Sequence, residues 1–308
     1  MSETDLAAPA AAANDGALPS HATPWRRRLP LLPALIFTIL LTQVPFVMSI
    51  YYSLTNWKVV PPTPREFIGF DNYVELTSSS PFLDAAWVSV KMTVLSVFFS
   101  VILGTLIAIL LDRKFFGQGI VRTLIITPFL LMPVVAGLIW KNQMFHGLFG
   151  VVNWLLDWVG IDSVEFVSKH PLASIVTVLV WQWTPFMMLI MLAGLQSQPS
   201  DVLEAARVDG TTSFGIFRQL TLPHLRRYIE LATLLGTIYL IQVFDQIFVM
   251  TGGGPGSTNL PFFVYRRSIG GGWQFGLASA YSIVVVIATL LVANFALRVL
   301  SNLLEDDV

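Results

Sequence analysis

Cysteine is absent from this 308-residue chain, so disulfides, thiolate metal sites and cysteine nucleophiles are excluded. Charge is scarce too: 12% of residues are Asp, Glu, Lys or Arg, and the formal net charge is −1. A chain without a basic excess has no electrostatic footprint for nucleic acid, and none is expected as a partner. The four histidines (His21, His146, His170 and His224) are scattered, with no i,i+4 pair of the kind that holds a metal. No G-x-x-x-x-G-K-[ST] sequence occurs, so the chain has no phosphate loop for ATP. Neither a Ser/His/Asp arrangement nor a carboxylate pair stands at a plausible site, and the chain by itself is not expected to be an enzyme.

What the chain has is apolar length. Hydrophobic residues make up 55% of it, beyond the usual range of soluble domains. Six runs are long enough for the hydrocarbon core of a bilayer, about 30 Å or about 20 helical residues. They are Leu31–Tyr52, Ala85–Leu111, Ile120–Trp140, Leu172–Leu195, Ile229–Met250 and Leu277–Leu300. The expected fold is therefore an all-α integral membrane protein of six transmembrane helices, occupying residues 29–308 and surrounded by lipid. Residues 1–28 precede it as a cytoplasmic segment. Met1 to Pro24 is rich in Ala, Ser and Pro and is expected to be disordered. It does not read as a signal peptide, because Arg26, Arg27 and Arg28 come late and the apolar run after them is too long.

Basic residues in short loops favour the cytoplasm. With the amino terminus inside, eleven of the eighteen Lys and Arg residues fall on the cytoplasmic side, and both termini are cytoplasmic. The polar interval at residues 201–223 is then inside as well. Its composition suggests two short helices. Asp201 can cap the first, with Glu204 three residues on to bond back. Gly210 suits the left-handed position where that helix ends. Thr211, Thr212 or Ser213 can cap the second, and Pro223 stops it or opens the next helix.

Glu204-Ala205-Ala206, three residues, Gly210, nine residues and Leu220-Thr221-Leu222-Pro223 together resemble the signature loop of permease subunits in binding-protein-dependent ABC importers. Leu220 departs from the Ile that is usual there. The resemblance implies the MetI-like fold of a type I importer and places the chain in a bacterial cytoplasmic membrane. In that family the loop forms a coupling helix seated in a separate ATPase. This implies coupling roles for Glu204, Ala205, Ala206, Asp209, Gly210, Leu222 and Pro223. The implied partners are a second permease subunit, two ATPase subunits and an extracytoplasmic solute-binding protein. The chain itself binds no cofactor; ATP and Mg belong to the ATPase.

Other stretches resemble the sugar branch of the family. Phe67-Ile68-Gly69-Phe70-Asp71-Asn72-Tyr73 is similar to the F-x-G-x-x-N-Y after the first helix, and Thr251-Gly252-Gly253-Gly254-Pro255 to a T-x-G-G-P segment after the fifth. The run Asn259 to Tyr265, with Val292 to Arg298, looks most like permeases for polyols such as sorbitol or mannitol; disaccharides and glycerol phosphate are the alternatives. Between Gly147 and Gly160, Trp154 and Trp158 suggest a short helix, either interfacial or packed over the transporter mouth.

Polar groups inside apolar spans tend to face a bundle interior or cavity. Trp181 to Leu189 resembles a substrate-lining segment, which implies Gln182, Trp183 and Phe186. In the fifth run, Tyr239, Gln242, Asp245 and Gln246 recur at helical spacing, with Gly236 leaving room beside them. Aromatic faces flanked by amides and carboxylates suit a neutral polyhydroxylated ligand. The same residues also suit interhelical packing, and Asp245 lies near enough to the outer surface for an interfacial or fold-stabilising contact. An ion-coupled secondary transporter is the rival reading. It would call for ionisable groups at mid-membrane and repeated halves, which the chain does not show.

Overall fold

The computed structural model describes residues 31–305, so the segment 1–28 expected to be disordered lies outside the described residues. Among those residues the structure is helical throughout, its one β feature being an isolated bridge between Thr55 and Phe67. By contact the chain divides after Met48. The described part of the first unit is the largely exposed start of helix α1 (Leu32–Ser53), and everything that follows belongs to the second.

The second unit is organised around α3 (Ser80–Leu111) and α8 (Pro171–Gln196), which pack along each other. One face of α3 carries Ser89, Thr93, Ser96, Ser100, Gly104 and Ala108 at steps of three and four, all buried. A side chain at Gly104 would begin 2.8 Å from the Met187 Cβ and 2.8 Å from the Met188 amide. Small residues thus let the two backbones approach where van der Waals packing, not the hydrophobic effect, must hold helices together. Helix α11 (Leu222–Leu240) packs on both α3 and α8 and also meets α14 (Phe275–Glu305). Met187, Met188 and Met191 fill the interior between these elements, and Ala232 of α11 is fully buried among them.

Four unbroken helices are long and apolar enough to cross a bilayer among the described residues: α1, α3, α8 and the 275–292 part of α14. The two remaining expected runs are not straight. The run 120–140 becomes α4 (Gln118–Leu130) and α5 (Pro133–Ile139), the latter continued by a wide turn to Met144, with a bend of 100° between the parts. Pro133 causes it: a residue before proline is pushed out of the helical region, and Met132 is extended at ψ 136°. The run 229–250 likewise divides into α11 and α12 (Asp245–Met250), with residues 241–244 unwound between them. Tyr239, Gln242, Asp245 and Gln246 therefore do not share one helical face. By contrast, α8 runs through Pro185 without interruption.

Unwound backbone is costly in apolar surroundings unless its polar groups find partners. Both breaks are served by buried amide side chains. Gln182 on α8 donates to the Leu131 carbonyl at the first break, 2.9 Å, and accepts from Gln246 on α12 at 2.8 Å. Asn259 donates to the Val243 carbonyl at the second break and caps α13 (Leu260–Ser268) by accepting from the Phe262 amide at 3.0 Å. Lys141 adds a bond to the Val249 carbonyl at 2.9 Å, tying the two broken runs directly.

At the end of α1 the same device recurs. Asn72, buried on α2 (Asp71–Ser78), donates to the carbonyls of Ser53 at 2.7 Å and Thr55 at 2.9 Å. The Tyr73 hydroxyl meets the Ser53 hydroxyl at 2.7 Å. The Asn-Tyr pair singled out in the sequence thus closes the carbonyl end of the first helix.

The amide chain has a testable cost. Gln182→Leu keeps the volume but strands the Leu131 carbonyl and the Gln246 amide, at about 1–3 kcal/mol for each buried group left unpaired. The purified variant is expected to melt at a clearly lower temperature than the parent in a fluorescence-detected gel-filtration assay. An unchanged melting temperature would show that the break does not depend on this amide.

Candidate functional site

Residues 201–223 form an exposed helix–turn–helix. The first helix, α9 (Ser200–Val208), follows an extended Pro199 in the cap position, and no side chain caps it. The sequence expected Asp201 to be the cap; it lies instead inside the first turn, where its charge still favours the helix dipole. Proline, extended and without an amide, takes the cap position and moves the helix start two residues earlier. The other end matches expectation. The Gly210 amide donates to Arg207 at 3.1 Å and the Thr211 amide to Ala206 at 3.0 Å, with Gly210 left-handed at φ 77°. This is the paired-bond helix end that glycine favours.

Thr212 caps the next helix, α10 (Ser213–Ile216), by accepting from the Gly215 amide at 3.2 Å. A π turn over Phe217–Thr221 then leads straight into α11, with Pro223 in its first turn. Of the two roles open to Pro223, it opens the next helix. Glu204, Ala205, Asp209, Gly210, Leu222 and Pro223 are exposed and Ala206 is half-buried. Val208 and Phe214 project from the turn 87% and 71% exposed, an apolar surface at the tip of a polar loop.

The base of this loop is fastened. Ser197, just past α8, has its hydroxyl 3.0 Å from His224 Nε2 and 2.8 Å from the Tyr228 hydroxyl, both on α11. His224 Nε2 is also 3.1 Å from the Gly194 carbonyl. A side chain at Gly194 would start 2.7 Å from the Tyr228 ring, so glycine is what lets the two helices close here. Nothing in the sequence pairs Ser197 with residues 27 and 31 positions later; only the return of the chain does.

The segment Trp181 to Phe186 divides among three surroundings. Trp181, Thr184 and Pro185 line an apolar groove of about 1020 Å³ with Leu95, Phe99 and Leu124. Gln182 is 4% exposed, with both ends of its amide engaged as described. Trp183 and Phe186 turn to an aromatic face that Phe129 and Tyr239 complete. Phe129 stacks on Phe186 at 5.2 Å, Trp183 meets Phe186 edge-on at 5.7 Å, and Tyr239 lies 5.4 Å from Trp183. Tyr239 is 56% exposed, so the face is open on one side.

The structure therefore brings together Trp183, Phe186 and Tyr239, and adds Phe129, which the sequence did not single out. Gly236 is buried, and a side chain there would run into Met187. Gln242, just past the end of α11, is exposed and donates back to the Ile238 carbonyl at 2.9 Å. Asp245 is half-buried at the start of α12, separated from the aromatic face by the unwound stretch.

At the other end of the bundle, Thr251 to Gly256 is a turn, as its glycines require, with φ positive at Gly252 and Gly253. The Ser257 hydroxyl donates to that of Thr251 at 2.9 Å and closes it. Trp154 and Trp158 lie on α6 (Val151–Trp158), 64% and 84% exposed. No group of three or more metal-ligating side chains forms among the described residues.

Residues 78–308 match the family described as binding-protein-dependent transport system inner membrane component. A probable ABC transporter permease protein of Sinorhizobium fredii is 40% identical over 85% of this chain and 85% of its own. The trehalose/maltose transport system permease protein of Thermococcus litoralis is 34% identical over 85% of this chain and 88% of its own. In fold, the chain is similar to one from a bacterial alginate ABC transporter, solved in complex with an alginate pentasaccharide-bound periplasmic protein. That likeness has a TM-score of 0.75 at 23% identity, over 88% of this chain and 92% of the other. The chain belongs to the binding-protein-dependent inner membrane component family of ABC transporter permeases and has its MetI-like, all-helical type I importer fold.

Proposed function

We propose that this chain is the permease subunit of an ABC importer that carries a neutral sugar or sugar alcohol across the bacterial cytoplasmic membrane. The observation that carries the reading is the exposed helix–turn–helix at residues 200–221, whose Gly210 turn, open Glu204 face and protruding Val208 and Phe214 form a ready contact for another protein. In this reading the loop seats in a separate ATPase subunit, two of which serve this chain and a second permease, while a solute-binding protein delivers from the other side. ATP and Mg act on the ATPase. Closure of the ATPases pulls the loop, and the Ser197–His224–Tyr228 fastening passes that movement to α8 and α11 together.

The aromatic face lies on those same two helices, with Phe129 from α4. Rings of Trp183, Phe186, Tyr239 and Phe129 would pack on the C–H faces of a sugar, with Gln242 and Asp245 near its path and Gln182 and Gly236 shaping the face from behind. Movement of α8 and α11 as a pair against Phe129 of α4 would then open or close the sugar's surroundings. The carboxy-terminal resemblance favours a polyol, and the Thermococcus litoralis relative's name favours trehalose or maltose; both are carried into the test. Family membership weighs against an ion-coupled secondary transporter.

Orientation is tested by reporter fusions. Fusions after Gly160 and Gly256 are expected to read external and one after Gly215 internal. An external reading at Gly215 would remove the loop from any cytoplasmic ATPase.

Gly210→Val tests coupling. A β-branched residue at φ 77° meets a left-handed backbone penalty of ~1–2 kcal/mol, while no atom of the chain itself lies within 4 Å of the new Cβ. Solute uptake is expected to fall at least tenfold with membrane insertion unchanged. Full solute-stimulated ATP hydrolysis in the purified variant complex would make the loop a passive connector.

Trp183→Ala and Tyr239→Ala test the aromatic face. A ring contact contributes about 0.5–1.5 kcal/mol, so each variant is expected to raise the transport KM by roughly two- to tenfold. The panel is trehalose, maltose, sorbitol, mannitol and glycerol phosphate, each supplied with the cognate binding protein. Unchanged kinetics for both variants would place the sugar elsewhere.

A further inference from the structure

A cationic pocket of about 870 Å³ lies between α3, α13 and the glycine turns at 255–258 and 270–272. Lys91, Arg266 and Arg267 stand in its wall with Trp87, Phe263 and a single carboxylate, Asp84. None of the three cations forms an ion pair among the described residues. Arg266 reaches the Gly253 carbonyl at 3.5 Å, Arg267 lies 5.3 Å over the Phe263 ring, and Lys91 lies 5.6 Å over the Trp87 ring. Three cations facing one acid leave the pocket with an unmet demand for negative charge.

Its depth follows from α3. The stretch from Met92 to Leu111 carries no charge, and Asp112, Arg113 and Lys114 follow it. At 1.5 Å per residue that stretch covers about 30 Å, the thickness of the hydrocarbon core. Lys91 therefore stands at the headgroup boundary, and Trp87, one turn further out and 62% exposed, is the residue type that favours that boundary. Leu83, Val94 and Phe98, each more than half exposed, continue the same helical face above and below. The pocket thus opens beside an apolar stripe that suits acyl chains, with its positive charge at phosphate level.

We infer that this pocket binds the phosphate of an anionic phospholipid, with Lys91, Arg266 and Arg267 around the headgroup and Trp87 against its glycerol and upper acyl carbons. An acidic protein surface would satisfy the charge but has no use for the apolar stripe running past Lys91, which is why the lipid is favoured. The bound lipid would join α3 to α13, two elements already linked by the Ser89 hydroxyl accepting from the Leu260 amide at 2.8 Å.

The test uses the assembled transporter in micelles containing phosphatidylglycerol and phosphatidylcholine, with retained lipid counted by native mass spectrometry. The parent is expected to retain phosphatidylglycerol in preference to phosphatidylcholine. Lys91→Gln and Arg267→Gln should each weaken that retention roughly fivefold, and the pair more than tenfold, leaving phosphatidylcholine unchanged. Lys91→Arg should preserve it, as should Arg113→Gln at the opposite end of α3, and an excess of inorganic phosphate should displace no lipid. Equal retention by the parent and both single variants would overturn the inference. So would unaltered lipid retention with lost capture of the binding protein, which would make the pocket a protein-docking surface. Displacement of the lipid by inorganic phosphate would reassign it to a free anion.

Discussion

The fold depends on one constraint: backbone that leaves the helix inside an apolar bundle must still find hydrogen-bond partners. Two of the long apolar runs are broken, at residues 131–132 and 241–244, and neither break could persist with bare carbonyls. Gln182, Gln246 and Asn259 answer this, each an amide that can donate and accept at once. Because Gln182 donates to one broken run and accepts from the other, the three segments are held as a unit around α8. A hydroxyl could not serve both partners at that reach, and a charged group would bring a larger desolvation cost.

The amides are one of several ties between the long helices. Around the amides, α3 and α8 are locked by backbone approach at Gly104, and the two broken runs are tied through Lys141. Toward the loop at 200–221, α8 and α11 are held by hydroxyl and imidazole contacts around Ser197 that are partly open to solvent. Close packing of Gly194 on the Tyr228 ring backs these contacts, so α8 and α11 are joined at that end as well. The aromatic face spans the same two helices.

The short signature stretches acquire physical roles once folded. Asn72 and Tyr73 close the end of α1, and Thr251 with Ser257 closes the glycine turn. Gly210 supplies the left-handed residue on which the paired-bond helix end depends. In each case a motif residue satisfies backbone groups at a helix end, where four carbonyls would otherwise lack partners.

Length and apolar content were enough to place four of the six expected helices within a few residues, because spanning a bilayer demands about 20 apolar residues and little else. The loop at 201–223 was legible for a similar reason. Its glycine, threonine and proline act on their immediate neighbours, so spacing alone nearly determines its shape; Asp201 was misplaced because Pro199 competed for the same cap. The breaks were harder to read. Pro133 carried a signal for one of them, while the unwinding at 241–244 is stabilised by Asn259, sixteen residues away, and so is invisible to local periodicity. The division of Trp181 to Phe186 among a groove, an amide chain and an aromatic face was likewise decided by tertiary structure. Adjacent helical residues point about 100° apart, and which neighbour each one meets depends on α3, α4 and α11 packing around α8.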